Sequence, residues 1–256
     1  MSLKILRWKG GFGGDIILRL AADSSTVHTN VKFKSSMSDQ GRIQLDFSHL
    51  NLDNLQQIDR IALTQFYNSS IDPELLKQEF DHLIASDQSW WIKSHYYQQD
   101  FYKEQIVDIV IDNWLLPFAV AANINKTETL STEFNPLVSK ITDPFVQYQY
   151  SIYSIAKDFV CPYNTNHVLQ LKQILSGWYE LKHAMRQFNV DLDDRSRSIY
   201  ENWLEINKEY FPTASYQQCL QTNNYNTDQS GLTLIEKYCL LVLSDCKFKL
   251  LEKNEI

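Results

Sequence analysis

Apolar and polar positions change their spacing repeatedly along the chain, and each change marks an element. The run from Leu3 to Trp8 is apolar, short and free of helix signals. It gives way at once to Lys9, Gly10, Gly11, Phe12, Gly13 and Gly14, and then to the apolar-rich stretch from Asp15 to Ala22. That order predicts strand, glycine-rich loop and helix. Further strands are expected over Val27–Phe33 and, from alternation, over Arg42–Phe47. Asp72 followed by Pro73 and Glu74 supplies an N-cap, a first-turn proline and an early acid, so residues 72–84 should be helical. Trp90–Lys93 and Val107–Ile111 read as buried strands. From Leu115 onward the spacing turns helical, with helices expected over 117–123, 145–160, 166–188, 195–210 and 232–251.

Strands alternating with helices imply a mainly parallel sheet covered on both faces. The expected fold is a three-layer α/β domain spanning residues 1–256, with a P-loop-like strand-loop-helix at its N-terminus and a helix-rich C-terminal half. Composition agrees: 256 residues, 44% hydrophobic and 21% charged, suffice for a core without disulfides or metal. A net charge of -7 argues against a nucleic-acid binder, whose affinity rests on clustered Lys and Arg, and favours a small ligand. The four cysteines, Cys161, Cys219, Cys239 and Cys246, have neither zinc-finger nor Cys-x-x-Cys spacing, which points to a reduced, cytoplasmic protein with no structural metal. No apolar stretch reaches the roughly 18 to 20 residues of a membrane span.

Four of the seven glycines lie between positions 10 and 14. Glycines allow backbone N–H groups to turn toward a ligand, and a helix N-terminus adds partial positive charge, so the loop is a candidate anion site with Lys9 as its full charge. It is not a Walker A motif: Asp15 stands where Lys followed by Ser or Thr would be needed, which disfavours a nucleotide triphosphatase. The plainer alternative is a tight strand-to-helix turn in which Asp15 complements the helix dipole. Asp15 would also repel a phosphate at the same helix end.

A second constellation closes the strand at Trp90–Lys93. Lys93 and His95 are two residues apart, on one face if the strand persists, at the carboxyl edge where open parallel sheets bind ligands. A histidine there can take a proton from a hydroxyl or amine, and a lysine can neutralise a leaving phosphate.

Lys93-Ser94-His95 after an apolar strand resembles the Lys-Thr/Ser-His segment of cytosolic sulfotransferases. Lys9 to Ile16 is similar in order and position to their phosphosulfate loop, and the likeness spans roughly residues 3 to 125. The resemblance implies metal-free transfer of a sulfonyl group from 3'-phosphoadenosine 5'-phosphosulfate to a hydroxyl or amine of a small-molecule acceptor. His95 would be the general base, Lys9 and Lys93 would stabilise the leaving phosphate, and Gly10, Gly11, Phe12, Gly13, Gly14 and Asp15 would cradle the cofactor. The family places an Arg after the next strand and a Ser early in the following helix to hold the 3'-phosphate. Here Asp112 and Asn113 follow that strand and Ala121, Ala122 and Asn123 lie in the helix, so Asn113 and Asn123 are the cofactor candidates in that region. The family's late Arg-Lys-Gly loop is also missing, and Ser230-Gly231 falls in its place. Arg195, Arg197 and Lys126 are substitutes for the missing Arg, although a solvated helix face explains them as well. Helices of the second half, with Tyr96, Tyr97 and Trp114, would build an acceptor pocket, and the acidic balance favours a neutral or cationic acceptor.

Two other functions fit the same scaffold. One is a divergent P-loop kinase of a small metabolite, which needs a magnesium site and a phosphate-gripping lysine. The other is a non-catalytic nucleotide-binding or interaction protein, favoured by Asp15 and Asp112. Cys239 with Cys246, and Tyr148 with Ile152 and Ile155, have the spacing of helical core positions. His167 and His183 are expected on one long helix, and Glu201, Glu205 and Glu209 on an exposed face.

Overall fold

The computed structural model describes residues 3–8, 13–24, 26–38, 43–46, 48–50, 54–63, 71–94, 101–127, 167–223 and 231–245. Contacts divide the chain into two compact units, Met1–Val110 with Tyr163–Lys208, and Ile111–Pro162 with Glu209–Ile256.

The first unit is built on a parallel sheet of five strands, β1 (Leu3–Arg7), β2 (Val27–Thr29), β5 (Ser89–Lys93), β6 (Ile106–Val110) and β7 (His167–Gln170), in the order β2-β5-β1-β6-β7. β1 is central, with Leu3 and Ile5 buried on one face and Leu6 on the other, as a strand covered on both sides requires. In register, Ile5 stands between Ile92 and Ile106, and Leu6 between Lys93 and Val107. Leu3, Ile5, Ile92 and Ile106 pack against Ile58 and Ile61 of α2 (Gln57–Leu63) and Leu76, Phe80 and Leu83 of α3 (Pro73–Ala85). Each such side chain contributes about 1.5–3 kcal/mol on burial. Asp72 starts α3 by accepting from the N–H groups of Glu74 and Leu75, with Pro73 just inside the helix.

The opposite face carries Leu6, Trp91 and Val107 beneath α1 (Gly14–Asp23), whose Ile16, Ile17, Leu18, Leu20 and Ala21 are buried. The chain returns there after β7 as α5 (Leu171–Leu175), α6 (Trp178–Arg186) and α7 (Arg197–Asn207). Phe188 meets Trp91 edge to face at 5.9 Å, and Ser196 hydrogen-bonds Asp23 of α1 at 3.2 Å. The unit is thus a three-layer α/β fold with helices on both faces of the sheet.

Two segments differ from their expected form. Val27–Phe33 is two strands in two sheets: β2 ends at Thr29, and β3 (Lys32–Met37) pairs antiparallel with β4 (Ile43–Asp46). Asn30 divides them, accepting from the Lys93 N–H at 2.8 Å and donating to the Ile58 carbonyl at 2.7 Å, so it ties β5 to α2. The helix expected over 166–188 opens instead as β7, which completes the sheet edge against β6. A four-residue strand is too short to show its period in sequence. Gly177, at φ 118°, then separates α5 from α6. The helix expected over 145–160 lies outside the described residues.

In the second unit, α4 (Leu116–Thr127), α8 (Ala214–Gln221) and α9 (Leu234–Asp245) enclose Leu115, Leu116, Ala119, Val120, Tyr216, Cys239 and Leu240. Phe118 contacts Phe211 edge to face at 5.5 Å. Buried Glu236 accepts from the N–H groups of Thr213 and Thr233, at 2.5 and 2.7 Å, and so links the starts of α8 and α9.

Candidate anion site at the glycine turn

The site begins where β1 ends. Gly13 is the N-cap of α1 at φ 72°, a left-handed conformation that L side chains rarely adopt. Gly14 is required for a different reason: a Cβ there would stand 2.0 Å from the indole of Trp8. Trp203 of α7 lies in ordinary contact distance of Gly13, 3.4 Å from where a Cβ would lie. The left-handed turn at Gly13 and the Trp8 indole at Gly14 therefore account for both glycines, whatever ligand the turn also takes. α1 has no side-chain cap; the Gly13 carbonyl accepts from Ile17 at 3.3 Å.

β5 brings Lys93 to this turn from 78 residues away, and Lys93 Nζ donates to Asp15 Oδ1 at 2.8 Å. Nζ also lies 5.3 Å from the Trp8 ring centroid, within cation–π range. The two side chains are unequally covered, Lys93 at 5% and Asp15 at 21% exposure. Ser94 extends the edge: its N–H donates to the Leu6 carbonyl at 3.0 Å, while its fully buried Oγ has no hydrogen-bond partner among the described residues. An ammonium has three N–H donors, and Asp15 takes one of Lys93's. Chemically, the arrangement holds one negative charge against a desolvated ammonium at a helix N-terminus.

Gly13, Gly14, Asp15 and Lys93 are thus brought together. Lys9, Gly10, Gly11, Phe12 and His95 lie outside the described residues, as do Tyr96 and Tyr97. Asn113 begins the 3-10 turn Asn113–Leu115 and Asn123 lies in α4, both in the second unit; their side chains lie outside the description. Arg195 and Arg197 pair with Asp193 and Glu201 on the surface, as a solvated helix face requires, and Glu201, Glu205 and Glu209 are exposed. His167 is on β7, apart from His183 on α6.

One pair went unrecognised in the sequence. Arg7 of β1 and Asp108 of β6 are buried cross-strand neighbours joined twice, Nε to Oδ1 at 2.6 Å and a second nitrogen to Oδ2 at 2.8 Å. A charge inside each of two apolar runs was the available signal, because a buried charge needs a partner. Burial pushes the Tyr200 hydroxyl up to about 12, and it donates to the Ile174 carbonyl at 2.7 Å; burial also raises the Cys239 thiol well above its usual value.

Among the described residues no His, Cys, Asp and Glu side chains gather in a group of three able to hold a metal, and no helix is long and apolar enough to cross a membrane. Comparison with family models, curated proteins and solved structures found no match.

Proposed function

We propose that this chain is a sulfotransferase that uses 3'-phosphoadenosine 5'-phosphosulfate and acts on a hydroxyl or amine of a small, neutral or cationic acceptor. One observation carries the reading: Lys93, from the Lys-Ser-His segment, reaches the first turn of the helix that follows the glycine loop, at 2.8 Å from Asp15. Strand order supports it. β1 has β5 on one side and β6 on the other, so the chain switches direction across the strand that carries the loop, and ligands of open α/β sheets bind at such a switch.

In this mechanism His95 removes the acceptor proton as the acceptor oxygen or nitrogen attacks sulfur. The bond from sulfur to the bridging oxygen breaks, and adenosine 3',5'-bisphosphate leaves with the electron pair. Lys9 and Lys93 offset the charge gathering on that phosphate. The backbone of Gly10 to Gly14 would cradle it, and Asn113 and Asn123 are the candidates for further cofactor contacts.

Calorimetry tests the reading. Adenosine 3',5'-bisphosphate should bind without magnesium, and His95→Ala should abolish sulfonyl transfer while keeping that affinity. Binding of ATP with magnesium in place of the bisphosphate would make the chain a small-molecule kinase. A second reading, a non-catalytic interaction protein on this scaffold, is favoured by the neutralisation of Lys93 by Asp15, and binding of neither nucleotide would select it.

A further inference from the structure

We infer that Asn30 is the positioning residue of the Lys93 edge: its side chain stands in for a β2 carbonyl at the last N–H of β5 and so fixes where the Lys93 ammonium lies. The placement of Lys93 by Asn30 stands by itself; its consequence for catalysis rests on the sulfotransferase reading.

β2 pairs with β5 as far as Thr29 opposite Trp91, and by Lys32 the chain has entered the second sheet as β3. β5 runs on to Lys93. Successive N–H groups of a strand point to opposite neighbours. The Ser94 N–H takes the β1 side by donating to Leu6 at 3.0 Å, so the Lys93 N–H faces the side that β2 leaves. Asn30 Oδ1 accepts it there at 2.8 Å, in a buried setting where an N–H without an acceptor is costly. The same amide is anchored from behind. Its Nδ2 donates to the Ile58 carbonyl at 2.7 Å, and the N–H groups of Gln57 and Ile58 are in turn held by the Glu79 carboxylate at 2.9 and 2.8 Å. An amide offers an acceptor and a donor in one planar group, which neither Asp nor Leu does. Both bonds of Asn30 are to backbone, so it acts on Lys93 through the strand. Lys93 Nζ lies 2.8 Å from Asp15 and 5.3 Å from the Trp8 ring centroid, and a hydrogen bond of that length does not survive a drift of the strand that carries it.

Acylation of lysines by acetic anhydride, read by peptide mass spectrometry, reports whether the ammonium stays enclosed. In the parent chain Lys93, at 5% exposure, should react far more slowly than Lys208, at 59%. Asn30→Ala should raise the Lys93 rate, relative to Lys208, about tenfold. Asn30→Asp, which keeps an acceptor for the Lys93 N–H and loses the donor to Ile58, should restore most of the protection. Ile174→Val, a core change in α5, should leave the ratio at the parent value when the variants are compared equally far below their melting midpoints. An unchanged ratio in Asn30→Ala overturns the inference, as does an equal rise in Ile174→Val. If Asn30→Ala does not fold, amide exchange of the parent chain decides: the Lys93 N–H should be protected as strongly as that of Ser94, and fast exchange at Lys93 alone overturns the inference. In sulfonyl-transfer assays Asn30→Ala should lower kcat about tenfold with little change in KM for the donor, since Lys93 acts on charge that forms as the phosphate leaves. No transfer by the parent chain would remove the sulfotransferase reading and leave the labelling result standing. Full transfer by Asn30→Ala with unchanged labelling would overturn the inference and leave that reading in place.

Discussion

Arg7 and Asp108 face each other from adjacent strands, buried beside Ile5 and Ile106, and their double contact lets two charges sit in a parallel sheet. Removing one partner leaves the other charge desolvated. Asp108→Ala should therefore cost about 3–5 kcal/mol, read as a fall in the urea midpoint with little change in slope. A charge within each apolar run is visible in the sequence, but nothing in a linear chain states which strands adjoin or in what register. The glycines illustrate the opposite difficulty. Their clustering was plain, and it suggested a cradle for a ligand, yet Gly14 is already required by the indole of Trp8, six residues earlier. A close approach between side chain and backbone leaves no periodic trace, so the two causes look alike in sequence.

Elements with local start signals were legible. The helix at 72–84 was visible because Asp72 and Pro73 act on their own neighbours, and α3 runs Pro73–Ala85 with the cap bonds in place. Loss of the carboxylate in Asp72→Ala orphans two N–H groups and should lower stability by about 1 kcal/mol, measured as a downward shift in the thermal midpoint. Elements fixed by distant partners were not legible. β7 is a strand because β6 offers it an edge, and α2 is held in place partly by Glu79 of α3, whose carboxylate accepts from the N–H groups of Gln57 and Ile58. Asn30 divides an apparently continuous strand for the same kind of reason, since its bonds reach β5 and α2.

For the whole molecule, alternation of strands and helices was enough to foresee a parallel sheet with helices on both faces, but the order of its strands depends on crossovers that leave no local mark. The β7 edge also sets a pH response. Burial, then the nearby charge of Lys4, holds the His167 imidazole below its ordinary 6.5. Its unfolded form therefore binds a proton at a higher pH than the folded form does. The stability it contributes is present above about pH 6.5 and is lost as pH falls from there through the lower folded value. The urea midpoint of the parent chain should drop between pH 7.5 and 5.5 more than that of His167→Gln, and a proton titration of His167 by NMR should centre below 6.5.

Completion of that sheet also has an order in time. β6 ends at Val110, and its outer neighbour β7 begins only at His167. A ribosome releasing this chain from its N-terminus exposes four strands before the fifth exists, and one flank of β6 stays open in the meantime. Nascent chains halted between those two points should be the species most dependent on chaperones, and chains halted beyond Gln170 should lose that dependence as β7 covers the open flank.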